Sequence, residues 1–323
     1  MSQLKKIVIL AKPESQYLSL LLLVLFAASP TAPAQQPTGQ AIYNLTQQFL
    51  NVAPKRFNGS PGHLAAEQFI KDHFKPEVAK GDLITDEFTA NTPLGPQTMR
   101  NYIVKFPGKK DGIIVLASHY ETNYPLKDTA FAGTNDGACT TALLIAIGQY
   151  FRAHPPEGYA VWLLFDDGEE AVANPPYDPA QWTASNSLYG TKHQAAKWFS
   201  DGTAKRINAV MIADMIGDKD LNILEEMGST PWLRSIFEKA AINTHHTANV
   251  FRTQASEEDD HLPFLQRGMP ALDVIDVDYG PHTASMPDGY HHTAQDTIDK
   301  ISPQSLQISA DLFLESIRLI NQR

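Results

Sequence analysis

The apolar run Val161-Trp162-Leu163-Leu164-Phe165, broken by Asp166-Asp167-Gly168 and followed at once by Glu169-Glu170, constrains this chain more than any other stretch. Its length and composition are those of a strand buried on both faces. The glycine turn leaves two adjacent carboxylates at the strand's carboxyl end, the edge where open α/β sheets carry their chemistry. One such carboxylate can ligate a hard or borderline metal while the other stays free to move protons. By itself an acidic turn is ordinary solvated loop. Its meaning depends on how the other strands end.

Three other apolar runs end in a comparable way. Residues 113–117 lead into Ser118-His119-Tyr120-Glu121, and 209–213 into Asp214-Met215-Ile216-Gly217. Residues 271–275 lead through a loop to Tyr290-His291-His292-Thr293. Asn135-Asp136-Gly137 precedes a long apolar helix over 138–151, where Asp136 reads as a helix cap, and Glu257-Glu258-Asp259-Asp260-His261 opens a short helix to Gln266. The candidate ligands and acids are therefore His119, Asp136, Glu169, Glu170, Asp214, Asp259, Asp260 and His292. Carboxylates and imidazoles gathered at one sheet edge are what a zinc site in an α/β protein requires, and burying so much acid without a cation is costly. Three protein ligands with an open fourth position mark a catalytic zinc.

The chain has 323 residues, 43% of them hydrophobic, enough for a large core. Its net charge of −10 disfavours nucleic acid and anionic membrane as partners. Lys5 and Lys6, the apolar segment 18–28 and Ala32-Pro33-Ala34 read as a secretory signal over residues 1–34. Residues 35–323 are then a single exported catalytic domain, periplasmic or secreted, with no stable membrane association after cleavage. The rival reading is an uncleaved segment that anchors the chain to a membrane. Cys139, the one cysteine, reads as a small buried helix residue. His63 and His73, beside a helix over 64–74, read as solvent-facing, as do His245 and His246. Residues 82–88 and 101–106 read as strands joined by a loop, and 303–320 as a helix with one apolar face. The loop 174–186, rich in proline and aromatics, reads as a substrate-binding element. The sequence holds no internal repeat, nucleotide-binding glycine loop or basic stripe.

Taken in order, His119-Tyr120-Glu121, Asn135-Asp136-Gly137, Gly168-Glu169-Glu170, Asp214 to Gly217, Asp260-His261-Leu262-Pro263-Phe264 and His292-Thr293 resemble the zinc aminopeptidase superfamily, peptidase clan MH. Within it, the chain most resembles the glutaminyl-peptide cyclotransferases of animal type, from about Ala41 to the end. The resemblance implies an α/β fold with a central mixed, mostly parallel β-sheet flanked by helices on both faces. It also implies peptide or protein N-termini as substrates. Carried over residue by residue, one zinc is held by Asp136, Glu170 and His292, and Glu169 is the catalytic acid/base. Asp214 meets the substrate, and Asp259 is the second aspartate hydrogen-bonded to it. In the aminopeptidase relatives Asp136 bridges two zincs, and His119 and Asp214 complete the second site.

Two features favour the cyclase: Asp259 before Asp260-His261, and residues 171–186 intervening before Ser187-Leu188-Tyr189-Gly190. The expected reaction converts an N-terminal glutamine to pyroglutamate with release of ammonia. The alternative is a two-zinc exopeptidase that hydrolyses the first peptide bond, and the third reading is a non-catalytic domain of the same fold. Missing ligands would mark that third case, and Asp136, Glu169, Glu170, Asp214 and His292 are all present. Departures from the cyclase pattern fall around the pocket. His291 stands where those enzymes place a tryptophan, and a proline-rich insertion stands where a second one follows the glutamate pair. Trp182 can supply that wall from within the insertion, so Trp182 and His291 are the candidate pocket residues. Glu258 replaces a typical glutamine, and Glu121 a typical aspartate.

Overall fold

The computed structural model describes residues 36–178, 182–183, 185–284 and 286–323. The signal expected over residues 1–34 lies outside them. Helices α1 (Gly39–Val52), α2 (Pro61–His73) and α3 (Lys75–Lys80) come first, and then strands β1 (Leu83–Thr92), β2 (Gly95–Phe106) and β3 (Lys110–His119). Helix α4 (Cys139–Ala153), β4 (Tyr159–Asp166), α5 (Tyr189–Ser200) and β5 (Ile207–Asp214) follow. The chain ends with β6 (Ile223–Glu226), α6 (Pro231–Asn243), β7 (Val250–Ala255), α7 (His261–Leu265), β8 (Ala271–Ile275) and α8 (Pro303–Ile320).

Six strands form one sheet in the order β1-β2-β4-β3-β5-β8, in which β4, β3, β5 and β8 run parallel and the β1-β2 hairpin is joined antiparallel to β4. The apolar runs are continuous because both faces are covered. Ile114 and Leu116 of β3 pack with α1, α2, α4, α6 and α8, while Ile113, Val115 and Ala117 pack with Trp198 of α5 and Phe264 of α7. From β3 the chain crosses by α4 to one neighbour, β4, and from β4 by α5 to the other neighbour, β5. Right-handed crossovers in opposite directions put their helices on opposite faces. They leave a crevice at the carboxyl ends, where the strand order reverses. His119, Asp166 and Asp214 are the last residues of β3, β4 and β5.

Several elements differ from expectation. Both strands of the first hairpin continue to a tight turn at Pro93-Leu94, pairing Thr92 with Gly95. Pro96 is tolerated one residue into β2, where a missing N–H disturbs little. Helix α2 begins at Pro61, three residues early, with the Ser60 hydroxyl capping the His63 N–H at 2.9 Å. This places His63 in the first turn, facing inward, so it is not solvent-facing. It is buried with Nε2 2.9 Å from Asp167 Oδ1. His73 is half-buried, as is His246, whose Nε2 lies 3.1 Å from Asp311; His245 is exposed. The pair β6-β7 is a separate small parallel sheet, and β7 escapes the sequence because most of its residues are not buried.

The turn-rich stretch after α1 hides Arg56, which is fully buried. Its guanidinium donates to the carbonyl oxygens of Tyr120, Ala132 and Gly133, each at 2.9 Å, and of Ala53 at 3.2 Å. Burial lowers its pKa to about 10, against the pull of Asp136, Asp296, Glu121 and Glu170. It is therefore still a cation at neutral pH. Behind α7, His261 Nε2 lies 3.2 Å from Glu226 Oε2, and the Glu226 Oε1 accepts the Gly228 N–H at 2.8 Å. Burial pushes Glu226 up, but His261, Ser229 and the Gly228 N–H outweigh it and hold the carboxyl at about 2.

Two outcomes are expected. Arg56→Met removes a buried charge and strands its acceptors, and should destabilise the fold by about 3–5 kcal/mol in chemical denaturation. A loss under about 1 kcal/mol would show that the guanidinium is dispensable. Glu226 has a depressed folded pKa, so its charge stabilises the fold above its ordinary value of 4.5, and that contribution fades as pH falls through about 2. Glu226→Gln should be less stable than the parent at pH 7, with the gap closing across that acid window. A gap of constant size from pH 7 to acid would count against a charge effect.

Candidate active site

Every candidate from the sequence except Asp260 borders one cavity or its floor. His119 Nε2 lies 3.2 Å from Asp136 Oδ1 and 3.6 Å from Asp214 Oδ1. Asp136 sits in a turn with φ −87° and ψ 87°, followed by Gly137 at φ 91°. A Cβ on Gly137 would come within 2.8 Å of His119 Cε1, so only glycine lets the turn bring Asp136 against the imidazole. Asp136 is not a helix cap: α4 starts from Ala138 with no side-chain cap, and the carboxylate turns into the site instead. Asp136 Oδ2 is 3.3 Å from His292 Nε2, and Glu170 Oε1 is 2.8 Å from the same nitrogen. Asp136 and Glu170 thus both reach His292 Nε2, and Asp136 is shared with His119 and Asp214. Ligand atoms of that second trio all lie within 4.8 Å of one another.

Glu169, Asp259, Trp182 and His291 join these groups around a cavity of about 520 Å³. The His291 ring lies against His292, with centroids 3.8 Å apart. Asp259 makes no hydrogen bond to Asp214 of the kind the resemblance implied: its Oδ1 accepts the Asp260 N–H at 2.5 Å, its Oδ2 and Asp214 Oδ1 are unpartnered, and it belongs to a buried cluster with His261 and Asp273. Asp260 turns away toward α5, where its Oδ1 accepts the Thr191 hydroxyl at 2.5 Å.

Around these side chains are partners that sequence reasoning missed. Asp296 accepts the N–H of Asn135 at 2.8 Å and of Asp136 at 3.4 Å, and the Tyr279 hydroxyl at 2.7 Å, fixing the turn that carries Asp136. Glu121, visible in sequence only as a departure, accepts the Glu170 N–H at 3.0 Å. Asn123 donates to Glu170 Oε2 at 2.8 Å. The Tyr177 hydroxyl lies 2.6 Å from His292 Nδ1. Asp296 carries a weak signal, being an acid four residues after a candidate ligand; Asn123 and Tyr177 are loop residues with none.

The electrostatics separate the carboxylates. Burial would raise Asp136, but His119 and His292 overcome it and hold the carboxylate well below its usual range. Burial likewise disfavours an imidazolium, yet Asp136 and Asp214 hold His119, and Glu170 and Asp136 hold His292, well above the ordinary value. Asp214 is pushed up to about 7 by burial, with the charge of Asp259 adding to it. Glu169 is driven well above the carboxylate range by burial and by Glu170, Asp259 and Asp260. Carboxylates pushed apart in this way are the signature of divided acid/base work.

Both ring nitrogens of His119, Asp136 Oδ2 and Asp214 Oδ1 are buried without a hydrogen-bond partner. Buried polar atoms are ordinarily satisfied, and nitrogen and carboxylate donors aimed at common points are satisfied by a cation. Zinc bonds of about 2.0–2.2 Å in a tetrahedral shell separate ligand atoms by about 3.3 Å. The contacts of Asp136 with the two imidazoles, 3.2 and 3.3 Å, match that spacing. Glu170 lies closer to His292 Nε2, at 2.8 Å, and in kind the nitrogen and carboxylate donors around Asp136 fit the ion.

Comparisons with known proteins agree with this layout. Residues 101–317 match peptidase family M28. Over 281 residues the chain is 30% identical to a glutaminyl-peptide cyclotransferase-like protein of Bos taurus, covering 78% of this chain and 71% of that one. Among solved structures it is similar to a glutaminyl cyclase of an Acidobacteriales bacterium, with 63% identity, a TM-score of 0.86, and coverage of 92% of this chain and 99% of that one. A Zn-dependent exopeptidase from Parabacteroides distasonis ATCC 8503 shares the fold at 18% identity and a TM-score of 0.71, covering 90% and 99%. The strand-end motifs, the sheet they terminate and the extent of these matches lead to one conclusion: the chain belongs to peptidase family M28 and is a homologue of the glutaminyl-peptide cyclotransferases.

Proposed function

We propose that this protein is a zinc-dependent glutaminyl-peptide cyclotransferase that converts the N-terminal glutamine of peptides or proteins to pyroglutamate and releases ammonia. The observation that carries the proposal is that Asp136 and Glu170 both reach His292 Nε2 beside a cavity that also holds Glu169. The 63% identical relative, itself a glutaminyl cyclase, supports the same reading.

Asp136, Glu170 and His292 would hold the zinc, which when bound supplies Lewis-acid polarisation of the side-chain amide carbonyl. Glu169 takes a proton from the substrate's α-amine as that nitrogen bonds to the amide carbon. It then returns the proton to the amide nitrogen as the old C–N bond breaks, so ammonia leaves and a five-membered lactam remains. Its raised pKa makes it a stronger proton acceptor than an ordinary carboxylate for the first half of this transfer. Asp214, at about 7 and repelled by Asp259, can accept a hydrogen bond from the amide or donate one, and so holds the leaving group in place. Trp182 and His291 wall the cavity.

One observation favours a second reading. The trio His119, Asp136 and Asp214 is geometrically complete and has unpartnered atoms, as a second metal would require. In a two-zinc exopeptidase, Glu169 would instead take the proton of a water attacking the first peptide bond. Export to the periplasm or the exterior, with residues 35–323 as the catalytic domain, rests on the signal-like start alone.

The deciding assay incubates purified protein with Gln-peptides and Leu-peptides. Ammonia from the former without free leucine from the latter is the expected result, and the reverse would establish the exopeptidase. Metal analysis should give one zinc per chain, against two for the rival. Glu169→Gln should keep its zinc and lose about 10²- to 10⁴-fold in turnover. Undiminished turnover in that variant would end the acid/base assignment.

A further inference from the structure

The insertion after the glutamate pair brings Tyr177 to the far side of His292. Its hydroxyl lies 2.6 Å from Nδ1, while Nε2 faces Glu170 at 2.8 Å and Asp136 at 3.3 Å. The Tyr177 and His292 rings meet edge to face, with centroids 4.9 Å apart and planes at 79°. Phe131 meets the same imidazole edge-on at 5.7 Å, and His291 lies against it at 3.8 Å. His292 itself has a positive φ of 54°, a conformation its backbone does not favour. Its orientation is therefore set by what surrounds the ring.

A neutral imidazole carries one proton, and a ligating nitrogen must be free of it. If Nε2 faces the carboxylates, the proton belongs on Nδ1 and needs an acceptor, a role usually filled by a carboxylate or a backbone carbonyl. Here the atom in reach is a phenol oxygen. We propose that Tyr177 is a positioning residue for the metal centre: its hydroxyl oxygen accepts the Nδ1 proton of His292, fixes the tautomer that leaves Nε2 free, and aims the ring at Asp136 and Glu170. The proposal rests on the zinc reading given above. Tyr177 also lines the cavity with Trp182, so the loop that walls the substrate steadies a metal ligand as well. Placement of the insertion and strength of metal binding are thereby coupled.

Tyr177→Phe tests this by removing only the hydroxyl, keeping the ring, its contact with His292 and the cavity wall. Zinc affinity, read by competition with a chromogenic chelator, should fall about 10- to 100-fold, and kcat on a Gln-peptide should fall with it when zinc is limiting and recover as zinc is raised. Trp182→Phe, on the same wall, should shift KM and leave zinc affinity at the parent value. A Tyr177→Phe protein that binds zinc as tightly as the parent overturns the proposal alone. A parent protein that takes up no zinc overturns the metal reading and the proposal together.

Discussion

The burial of acid at a single sheet edge is the constraint to which the rest of this structure answers. Asp136, Glu169, Glu170 and Asp214 are all buried there, with Glu121, Asp259 and Asp296 close behind. Isolated carboxylates in such a place would neutralise or unfold the edge, because desolvation of an ion exceeds what distant charges return. The fold meets the problem in layers. Arg56 supplies a buried positive charge whose donors are taken by carbonyls and which cannot collapse onto one acid. Backbone N–H groups point at Asp296 and Glu121, so these two are held as acceptors for the turns that carry Asp136 and Glu170. Both ring nitrogens of His119, Asp136 Oδ2 and Asp214 Oδ1 are among the buried atoms these layers leave without a hydrogen-bond partner.

This division explains which parts of the site were legible in the sequence. His119, Glu170 and Asp214 each end, or closely follow, an apolar run whose strand character is evident from composition alone, and a sheet edge gathers strand ends whatever the loops do. The core was legible for the same reason, since alternating faces of β3, β4 and β5 are both apolar. His292 was different. It lies well beyond β8 and is reached only through a long loop, so the sequence offered it as a candidate while its role as a ligand came from the resemblance. Arg56, His63, Asp296 and Tyr177 were hidden because their partners are remote in sequence, such as His63 with Asp167 or Arg56 with Gly133. Periodicity reports the face of an element to which a residue belongs. It carries no information on where a loop side chain turns once another loop is packed over it.

Three of the departures from the cyclase pattern, His291, Glu258 and the insertion with Trp182, line the cavity. Where a tryptophan would precede the last ligand, His291 lies against His292; burial lowers its pKa to about 3, so it is a neutral aromatic surface. Trp182 and Tyr177 come from the proline-rich insertion. Aromatic area is thus supplied by different positions of the chain, on a wall whose requirement is flat apolar surface with a polar tip. Glu121, one methylene longer than an aspartate, reaches the Glu170 N–H.

The adjacency of Glu169 and Glu170 poses the sharpest question about this edge, since neighbouring identical side chains must take unlike roles. The turn decides it. Gly168, at φ 75°, lies where a Cβ would strike Met99 Sδ at 2.7 Å, and the carbonyls of Gly168 and Glu169 accept the N–H groups of Tyr189 and Leu188 at 2.7 and 2.8 Å. Held at both ends, the backbone sends the two side chains into different surroundings. Glu170 is fixed by both oxygens, one toward His292 Nε2 and one receiving Asn123. A carboxylate so occupied can ligate but cannot swing. Glu169 shares the cavity with Asp259, and burial together with the charges of Glu170, Asp259 and Asp260 favours its protonated form. It can therefore gain and lose a proton while its neighbour stays put.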